Sequence, residues 1–259
     1  MLSAVGGIAP SYSSRVKVEM LNVGWMTAAA GLWRSDEEEP GRPVRLPVPA
    51  YLVETGTERI LIDTGLHPGA VADAAAHYDQ PGALALFGLE QEASLADQLD
   101  LDTVTRVVLT HLHFDHAGGL SLLPDSVPVV VQRAEWEAGQ EAAAIERNFF
   151  LPRDYASAAE RLVLVDGDHD LLGDGSIELL LTPGHTPGHQ SVRVGDLVLG
   201  ADVAYFAATL DDLRFPAFGD DRAEQGRSAE RLRGMRSAGL AIRPGHDPEL
   251  LRPGAVSLD

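Results

Sequence analysis

Short apolar runs rich in β-branched residues alternate along this chain with longer stretches rich in Ala, Leu and Glu. The short runs predict strands at Arg15–Asn22, Ala50–Glu54, Arg59–Asp63, Thr105–Thr110, Pro128–Gln132, Ser176–Leu181, Gln190–Val194 and Leu197–Gly200. The longer stretches predict helices at Pro68–Tyr78, Ala93–Leu99, Arg133–Ala142 and Asp221–Ser237. We expect a tight turn at Thr55–Glu58 and an exposed loop at Arg34–Pro47. Because strands and helices are mixed without a break in composition, the pattern predicts a single α/β domain over residues 1–259.

Charge and composition narrow the range of partners. The 259 residues include 39 acidic and 20 basic side chains, which gives a net charge of −19. Such an acidic chain repels phosphate backbones, so we do not expect nucleic acid as a partner.

No apolar stretch approaches the roughly 18–20 residues that cross a bilayer, and the first residues lack a signal-peptide pattern. We therefore expect a cytoplasmic protein with no membrane partner. Cysteine is absent, which excludes disulfides, thiolate metal ligands and a cysteine nucleophile.

The segment Thr110–Gly119, THLHFDHAGG, concentrates histidine and aspartate directly after an apolar run. Loops at the carboxyl ends of strands often carry functional side chains because the sheet holds them rigidly. His111 and His113 alternate in an extended segment and therefore point to the same side. Asp115 and His116 follow at the turn into a helix. Imidazole nitrogen and carboxylate oxygen suit zinc and related divalent cations, so four ligands within six residues predict a contribution to two metal sites.

Three further residues follow apolar runs in the same way: His185 in LLLTPGHTPGHQS, Asp202 in LVLGADVAYF and His246 in AIRPGHDPE. Each of them alone is compatible with capping or surface hydrogen bonding. An α/β scaffold can hold a site that is assembled from the ends of several strands. Together with the THLHFDHAGG motif, these residues predict one metal centre.

The remaining histidines and one phenylalanine receive separate interpretations. His189 is expected to be a hydrogen-bonded structural residue beside the site rather than a ligand. His67, His77 and His169 have no partners that the sequence identifies, and we expect them on the surface. Phe114 lies between ligands and either lines a substrate pocket or anchors its loop.

These motifs resemble those of the metallo-β-lactamase-fold hydrolases. Asp63 in LIDTG, the HLHFDH block and the three later ligands are all present, and the resemblance extends from about Leu46 to Pro248. Within that superfamily the chain is most similar to the N-acyl-homoserine lactonases. The similarity rests on LPVPAYLVET, ILIDTG, VVVQRAEWEA and LLLTPGHTPGHQS, and on Tyr205, three residues after Asp202.

The resemblance implies an α/β fold with four layers, the αβ/βα sandwich, in which two mixed sheets pack face to face with helices outside. It implies two divalent metal ions, with zinc as the default and iron, manganese or cobalt as alternatives. It also implies their ligands: His111, His113 and His185 for one ion, Asp115, His116 and His246 for the other, and Asp202 as a bridge. Asp63 would orient a ligand histidine through its other ring nitrogen.

The implied activity is hydrolysis of a small lactone or ester. A hydroxide that bridges the metals would open the lactone ring of N-acyl-homoserine lactones, a quorum-quenching reaction, or of related lactones. Tyr205 would stabilise the developing oxyanion, and Asp115 would carry a proton to the leaving alkoxide. Two segments depart from the lactonase pattern, Gly24–Arg45 and Pro81–Gly88, so the resemblance does not extend to acyl-chain preference. The oligomeric state stays open.

Two alternatives use the same site. A thioester hydrolase of the glyoxalase II type is the first, although the scarcity of lysine counts against recognition of glutathione. A catalytically silent binding protein is the second, and the complete ligand set counts against it.

Overall fold

The computed structural model describes residues 16–34, 37–78 and 82–251. In the described residues the strands β1 to β12 are, in order, Lys17–Ala29, Pro43–Glu54, Arg59–Ile62, Gly88–Glu90, Arg106–Val108, Val129–Gln132, Leu162–Val165, His169–Asp170, Ile177–Leu181, Gln190–Val194, Leu197–Ala201 and Ala241–Pro244. The α-helices α1 to α10 are Ala30–Trp33, Pro68–Ala72, Ala74–His77, Leu95–Gln98, Phe114–Ala117, Arg133–Ala138, Ala142–Asn148, Pro152–Tyr155, Thr209–Asp212 and Arg222–Ser237. Short 3-10 helices span Gly82–Leu86, Leu101–Thr103, Gly118–Leu122, Ala156–Arg161 and Pro248–Leu251. Arg15 and Pro81, at the starts of two segments named above, lie outside the described residues.

The strands form two mixed sheets. The larger has the order β4–β1–β2–β3–β5–β6–β7 and the smaller has the order β12–β11–β10–β9–β8. In the larger sheet β3, β5, β6 and β7 are parallel neighbours. In the smaller sheet β9 and β11 both pair antiparallel with β10, and β12 runs parallel to β11. The carboxyl ends of β3 and β5, and those of β9, β11 and β12, therefore each meet at one edge of their sheet.

Alternate side chains of the central strands pack on opposite faces. Ile60 and Ile62 of β3 pack between the two sheets, whereas Leu61 packs among helical residues outside the larger sheet. In the smaller sheet Leu179 packs between the sheets, and Leu180 packs with Leu232 of α10 on the outer face. Both faces of each sheet are covered, which confirms the predicted four-layer αβ/βα sandwich.

The first two strands are longer than the sequence pattern predicts. β1 continues to Ala29 instead of ending at Asn22, and β2 begins at Pro43, so the prediction of an exposed loop over Arg34–Pro47 was wrong at its carboxyl end. The two strands pair up to Ala29 and Pro43, with a shift in register between Asn22 and Trp25. A bulge interrupts the alternation of apolar residues, which hides the continuity of the strand from the pattern.

Two predicted helices are each interrupted. Asp73 is extended, and its side chain accepts a hydrogen bond from the Ala76 amide, so α3 starts as a new helix within Pro68–Tyr78. The segment predicted as Arg133–Ala142 ends at Ala138, and α7 begins at Ala142. By contrast, Asp221 caps α10 as expected, accepting from the amides of Ala223 and Glu224. No helix in the described ranges is long and apolar enough to cross a membrane.

Candidate metal centre

The predicted ligands come together where strands of both sheets end. His111 and His113 follow β5, and His185, Asp202 and His246 follow β9, β11 and β12. The predicted ligands fall into two compact groups, in each of which the ligand atoms lie within 4.8 Å of one another: His111, His113, His185 and Asp202, and Asp115, His116 and His246. All seven side chains are buried.

Three ring nitrogens converge in the first group. Nδ1 of His113 lies 2.9 Å from Nε2 of His111 and 3.0 Å from Nε2 of His185. These separations are slightly shorter than the distance of about 3.3 Å between two nitrogen ligands of a tetrahedral zinc ion, which follows from Zn–N bonds of about 2.0–2.1 Å. Burial and the neighbouring His185 lower the pKa of His113 to about 3, so this ring is neutral at neutral pH, as a metal ligand must be.

A carboxylate and two imidazoles converge in the second group. Oδ2 of Asp115 lies 3.5 Å from Nε2 of His116 and 3.4 Å from Nε2 of His246. Asp115 and His116 lie on α5, whose first turn packs closely on the loop after β3 because Gly118 and Gly119 follow it. A Cβ atom at Gly119 would lie 2.4 Å from the carbonyl oxygen of Thr64. The paired glycines therefore allow this approach.

Asp202 faces both groups with different oxygens. Its Oδ2 lies 3.2 Å from Nε2 of His185 and 3.7 Å from Nε2 of His111. Its Oδ1 lies 3.1 Å from Nε2 of His246 and 3.4 Å from Nε2 of His116. One carboxylate thus lies between the groups, in the arrangement that a shared ligand requires.

Neighbouring groups fix the orientation of three of the histidines. Nδ1 of His116 lies 2.8 Å from Oδ2 of Asp63, and Nδ1 of His246 lies 2.8 Å from the carbonyl oxygen of Pro47. Nε2 of His113 lies 2.7 Å from the carbonyl oxygen of Asn148. Each ring therefore donates one N–H outward and presents its other nitrogen to the centre.

Unpartnered polar atoms test whether metal ions fit here. Within the described part of the chain, the buried atoms without a hydrogen-bond partner include Nε2 of His116, Nε2 of His246 and both carboxylate oxygens of Asp202. Each such atom costs about 1–3 kcal/mol when nothing compensates it. All four point into the centre, and nitrogen and carboxylate oxygen are the donors that divalent cations take. The residues fit a dinuclear metal site.

His189 lies beside the centre with both ring nitrogens engaged within the protein. Its Nδ1 is 3.1 Å from the carbonyl oxygen of Thr182, and its Nε2 accepts a hydrogen bond from the Asp202 amide at 3.1 Å. This neutral ring supports the backbone of Asp202, in agreement with its interpretation as a structural histidine.

Tyr205 lies beside one histidine of each group, closer to that of the second. Its ring centroid is 4.8 Å from that of His246 and 5.9 Å from that of His185. Burial and the charge of Asp202 raise the pKa of the Tyr205 hydroxyl, so it stays protonated at neutral pH. A protonated phenol here can donate a hydrogen bond.

A cavity of about 630 Å³ opens above the centre. His113, Asp115 and Tyr205 form its polar base. Its walls are largely apolar: Met26, Leu32, Trp33, Leu84, Leu86, Phe87, Phe114, Ile145, Phe149, Phe150, Leu151, Ala217 and Phe218. Both segments that depart from the lactonase pattern contribute to these walls, and Phe114 is one of the lining residues.

The other histidines differ in part from expectation. His169 is exposed, as predicted. His67 and His77 are half-buried, so the expectation of surface positions is met only in part, and their rings stack with centroids 4.2 Å apart. The interruption at Asp73 turns α3 back on α2 and brings the two rings together, which an uninterrupted helix would not do.

Sequence reasoning missed two residues that contact the ligand loops, Asn148 and Glu135. Asn148 acts through its backbone carbonyl, which carries no sequence signal. The buried carboxylate of Glu135 accepts hydrogen bonds from the amides of Leu112 and Gly188. Two signals in the sequence could have found it: its position after β6, at the edge where the other site loops begin, and its place in VVVQRAEWEA, one of the stretches that carry the resemblance.

Comparison with known proteins gives one consistent set of matches. The family model of the Metallo-beta-lactamase superfamily matches residues 43–240. N-acyl homoserine lactonase AiiA of Bacillus thuringiensis subsp. kurstaki is 31% identical over 186 residues, which cover 67% of this chain and 70% of that protein. N-acyl homoserine lactonase AttM of Azorhizobium caulinodans is 28% identical over 226 residues, which cover 81% and 85% of the two chains.

Solved structures match over most of the chain. An N-acyl homoserine lactone hydrolase with the product N-hexanoyl-L-homoserine bound at its catalytic metal center has a TM-score of 0.76 and 25% identity, covering 93% of this chain and 98% of its own. A probable metal-dependent hydrolase from Staphylococcus aureus has a TM-score of 0.75 and 20% identity, covering 90% and 89%. The second similarity concerns the fold alone.

Proposed function

The chain belongs to the metallo-β-lactamase superfamily, and from this premise we propose that it is a metal-dependent hydrolase that opens the lactone ring of N-acyl-homoserine lactones. The observation that carries the proposal is the position of the two ligand groups, joined by Asp202, at the base of a cavity with apolar walls. The 31% identity to a lactonase over 67% of the chain supports the choice of substrate.

The proposed ligands are those that the two groups contain. His111, His113 and His185 would hold one divalent cation, Asp115, His116 and His246 would hold the other, and Asp202 would bridge them. Zinc is the expected metal because three imidazoles and a carboxylate match its usual donors. When bound, the two cations would supply Lewis-acid activation of water and of the substrate carbonyl at neutral pH.

Two side chains at the base of the cavity would take part in ring opening. The Tyr205 hydroxyl would donate a hydrogen bond to the carbonyl oxygen as negative charge develops on it, since burial keeps this phenol protonated. The Asp115 carboxyl group would pass a proton to the alkoxide that leaves when the ring C–O bond breaks. The products would be the carboxylate and the hydroxyl of an acyl-homoserine.

The walls of the cavity favour an uncharged, apolar acyl group. Among the described residues that line it there is no lysine or arginine, and Glu146 is the charged residue on its walls. A glutathione thioester carries carboxylates, which this lining would repel rather than pair. The lining therefore favours the lactone over the thioester alternative.

Proton release measures the proposed reaction directly, because ring opening creates a carboxylic acid. The metal-loaded protein would be given N-acyl-homoserine lactones with short and long acyl chains, and S-lactoylglutathione as the thioester. We expect lactone turnover well above thioester turnover, and loss of both after chelation of the metals. Absence of lactone turnover in a protein that holds two metal ions would overturn the proposal, and thioester turnover in the same protein would favour the alternative.

A further inference from the structure

Glu135 is a buried acid that the proposed reaction does not use. It lies on α6, and its side chain is 0% exposed. Its Oε1 accepts a hydrogen bond from the Leu112 amide at 3.0 Å, and its Oε2 accepts one from the Gly188 amide at 2.8 Å. Burial raises the pKa of this carboxyl group to about 7, and the two backbone N–H donors oppose the shift because they stabilise its charged form.

The two amides belong to loops from different sheets. Leu112 lies between His111 and His113, after β5 of the larger sheet. Gly188 follows His185, after β9 of the smaller sheet. One carboxylate therefore ties together the two loops that carry all three histidines of the first group.

The second group is supported by other contacts. Asp63 orients His116, and the carbonyl oxygen of Pro47 orients His246. In the described part of the chain, the hydrogen bonds of the Glu135 side chain to Leu112 and Gly188 reach neither of these histidines. Asp63 reaches the first group only indirectly, through the hydroxyl of Thr110, which donates to Asp63 and lies 3.0 Å from Nδ1 of His111. Glu135 thus supports the first group, and Asp63 supports chiefly the second.

The loop after β9 can approach α6 closely because residue 188 is a glycine. A Cβ atom at Gly188 would lie 2.2 Å from the backbone nitrogen of Glu135 and 2.7 Å from its Cβ. Any larger residue would push the loop away from the helix, so a glycine at this position is required for the contact.

We propose that Glu135 is a positioning residue that sets the spacing of His111, His113 and His185 and thereby the metal affinity of the first group alone. The proposal rests on the ligand assignment in the proposed function, not on the identity of the substrate. Outer residues that orient metal ligands typically contribute 10–100-fold to metal affinity.

Glu135→Gln is the sharpest variant because the amide has the same shape as the carboxylate. One backbone N–H would then face the Gln NH₂ group instead of an acceptor, so one loop loses its hydrogen bond while the other keeps it. The matched control is Glu137→Gln, which makes the same change on an exposed position of the same helix. Asp63→Asn is the comparison variant, since Asp63 contacts His116 of the second group directly and the first group only through Thr110.

The experiment is a titration of metal-free protein with Co²⁺, followed by absorption, with circular dichroism to verify folding. We expect one of the two binding steps to weaken 10–100-fold in Glu135→Gln, and the other step to be the one that weakens more in Asp63→Asn. The double variant should weaken both steps, and Glu137→Gln should match the wild type. Gly188→Ala, which keeps the carboxylate but displaces the loop, should reproduce the Glu135→Gln result.

Three outcomes would overturn the proposal: both steps unchanged within twofold in Glu135→Gln, both steps weakened equally in that variant, or the same step weakened most in Glu135→Gln and in Asp63→Asn. Imidazole ¹⁵N NMR signals give a second readout in the metal-free protein. Those of His111, His113 and His185 should shift in Glu135→Gln while that of His246 stays in place, and the reverse pattern would contradict the proposal. A wild type that binds two metal ions but opens no lactone refutes the proposed substrate and leaves this titration decisive.

Discussion

Oδ2 of Asp63 lies 2.8 Å from Nδ1 of His116, and the same carboxylate accepts hydrogen bonds from the amide and the hydroxyl of Thr110 at 2.7 and 2.8 Å. Asp63 therefore joins the loop after β3 to the start of the ligand motif and holds the His116 proton on Nδ1. The backbone of Asp63 has a φ of 60°, a left-handed conformation that Asp and Asn tolerate better than other side-chain-bearing residues.

We expect Asp63→Asn to keep the fold and to weaken metal binding by the second group about 10–100-fold. An asparagine NH₂ at this position would donate to Nδ1 of His116, which moves the ring proton to Nε2 and blocks the nitrogen that faces the centre. Metal content after dialysis, measured by mass spectrometry, reports the loss. Full retention of two ions per chain would show that the tautomer of His116 does not depend on Asp63.

Asp202→Asn should affect both groups, because Oδ1 and Oδ2 of Asp202 face different groups. The amide offers one oxygen ligand and removes a negative charge between two cations, so we expect fewer than two ions per chain and a loss of activity of roughly 100-fold or more. Asp196→Asn is the control, since Asp196 is exposed just before β11, at the opposite end from Asp202. Unchanged metal content and rate in Asp202→Asn would contradict the bridging assignment.

Tyr205→Phe keeps the aromatic ring that packs on His246 and removes only the hydroxyl. If this hydroxyl stabilises the oxyanion, kcat should fall about 100-fold while metal content and folding stay unchanged. Tyr51→Phe is a suitable comparison, because in the described residues the buried Tyr51 hydroxyl has no hydrogen-bond partner and its removal should leave kcat unaltered. An unaltered kcat in Tyr205→Phe would reduce this residue to a packing role.

The ligand positions could be predicted from the sequence because each ligand follows an apolar run and carries metal-binding chemistry. His111 and His113 even reveal their common direction through the two-residue period of extended backbone. The division of the later residues between the two ligand groups could not be predicted from the same local pattern. His185 and His246 follow strands of the same sheet, and their separation into two groups depends on how that sheet packs against the other one.

Contacts that depend on how helices and loops pack together could not be predicted from the sequence pattern. Glu135 and Glu137 are acids two residues apart on one short helix, and only the rotation of that helix against the ligand loops places one of them inside. The stack of His67 on His77 depends on the interruption at Asp73, which no periodic pattern contains. In both cases the fold, rather than the local sequence, decides the partner.

Asp154 should make the stability of the fold depend on pH. Its carboxyl group is buried beside α5, and the Tyr78 hydroxyl donates to it, 2.8 Å from Oδ1 and 3.0 Å from Oδ2. Burial raises the pKa of Asp154 from 3.8 to about 7, although the Tyr78 hydrogen bond and Arg153 oppose the shift. Below pH 4 the group is neutral in both the folded and the unfolded chain. Between pH 4 and 7 the unfolded chain releases this proton first, so the contribution of Asp154 to stability is lost as the pH rises.

Asp154→Asn removes this titration while its amide oxygen still accepts the Tyr78 hydrogen bond. The free energy of unfolding of the variant, relative to the wild type, should therefore increase from pH 4 to pH 8, by up to about 4 kcal/mol for a pKa shift of about three units. Urea unfolding of both proteins at each pH measures this difference, and contributions of groups that the two proteins share cancel in it. A difference that stays constant from pH 4 to 8 would mean that Asp154 is already ionised in the folded protein over this whole range, with the Tyr78 hydroxyl as the donor that keeps its charge buried.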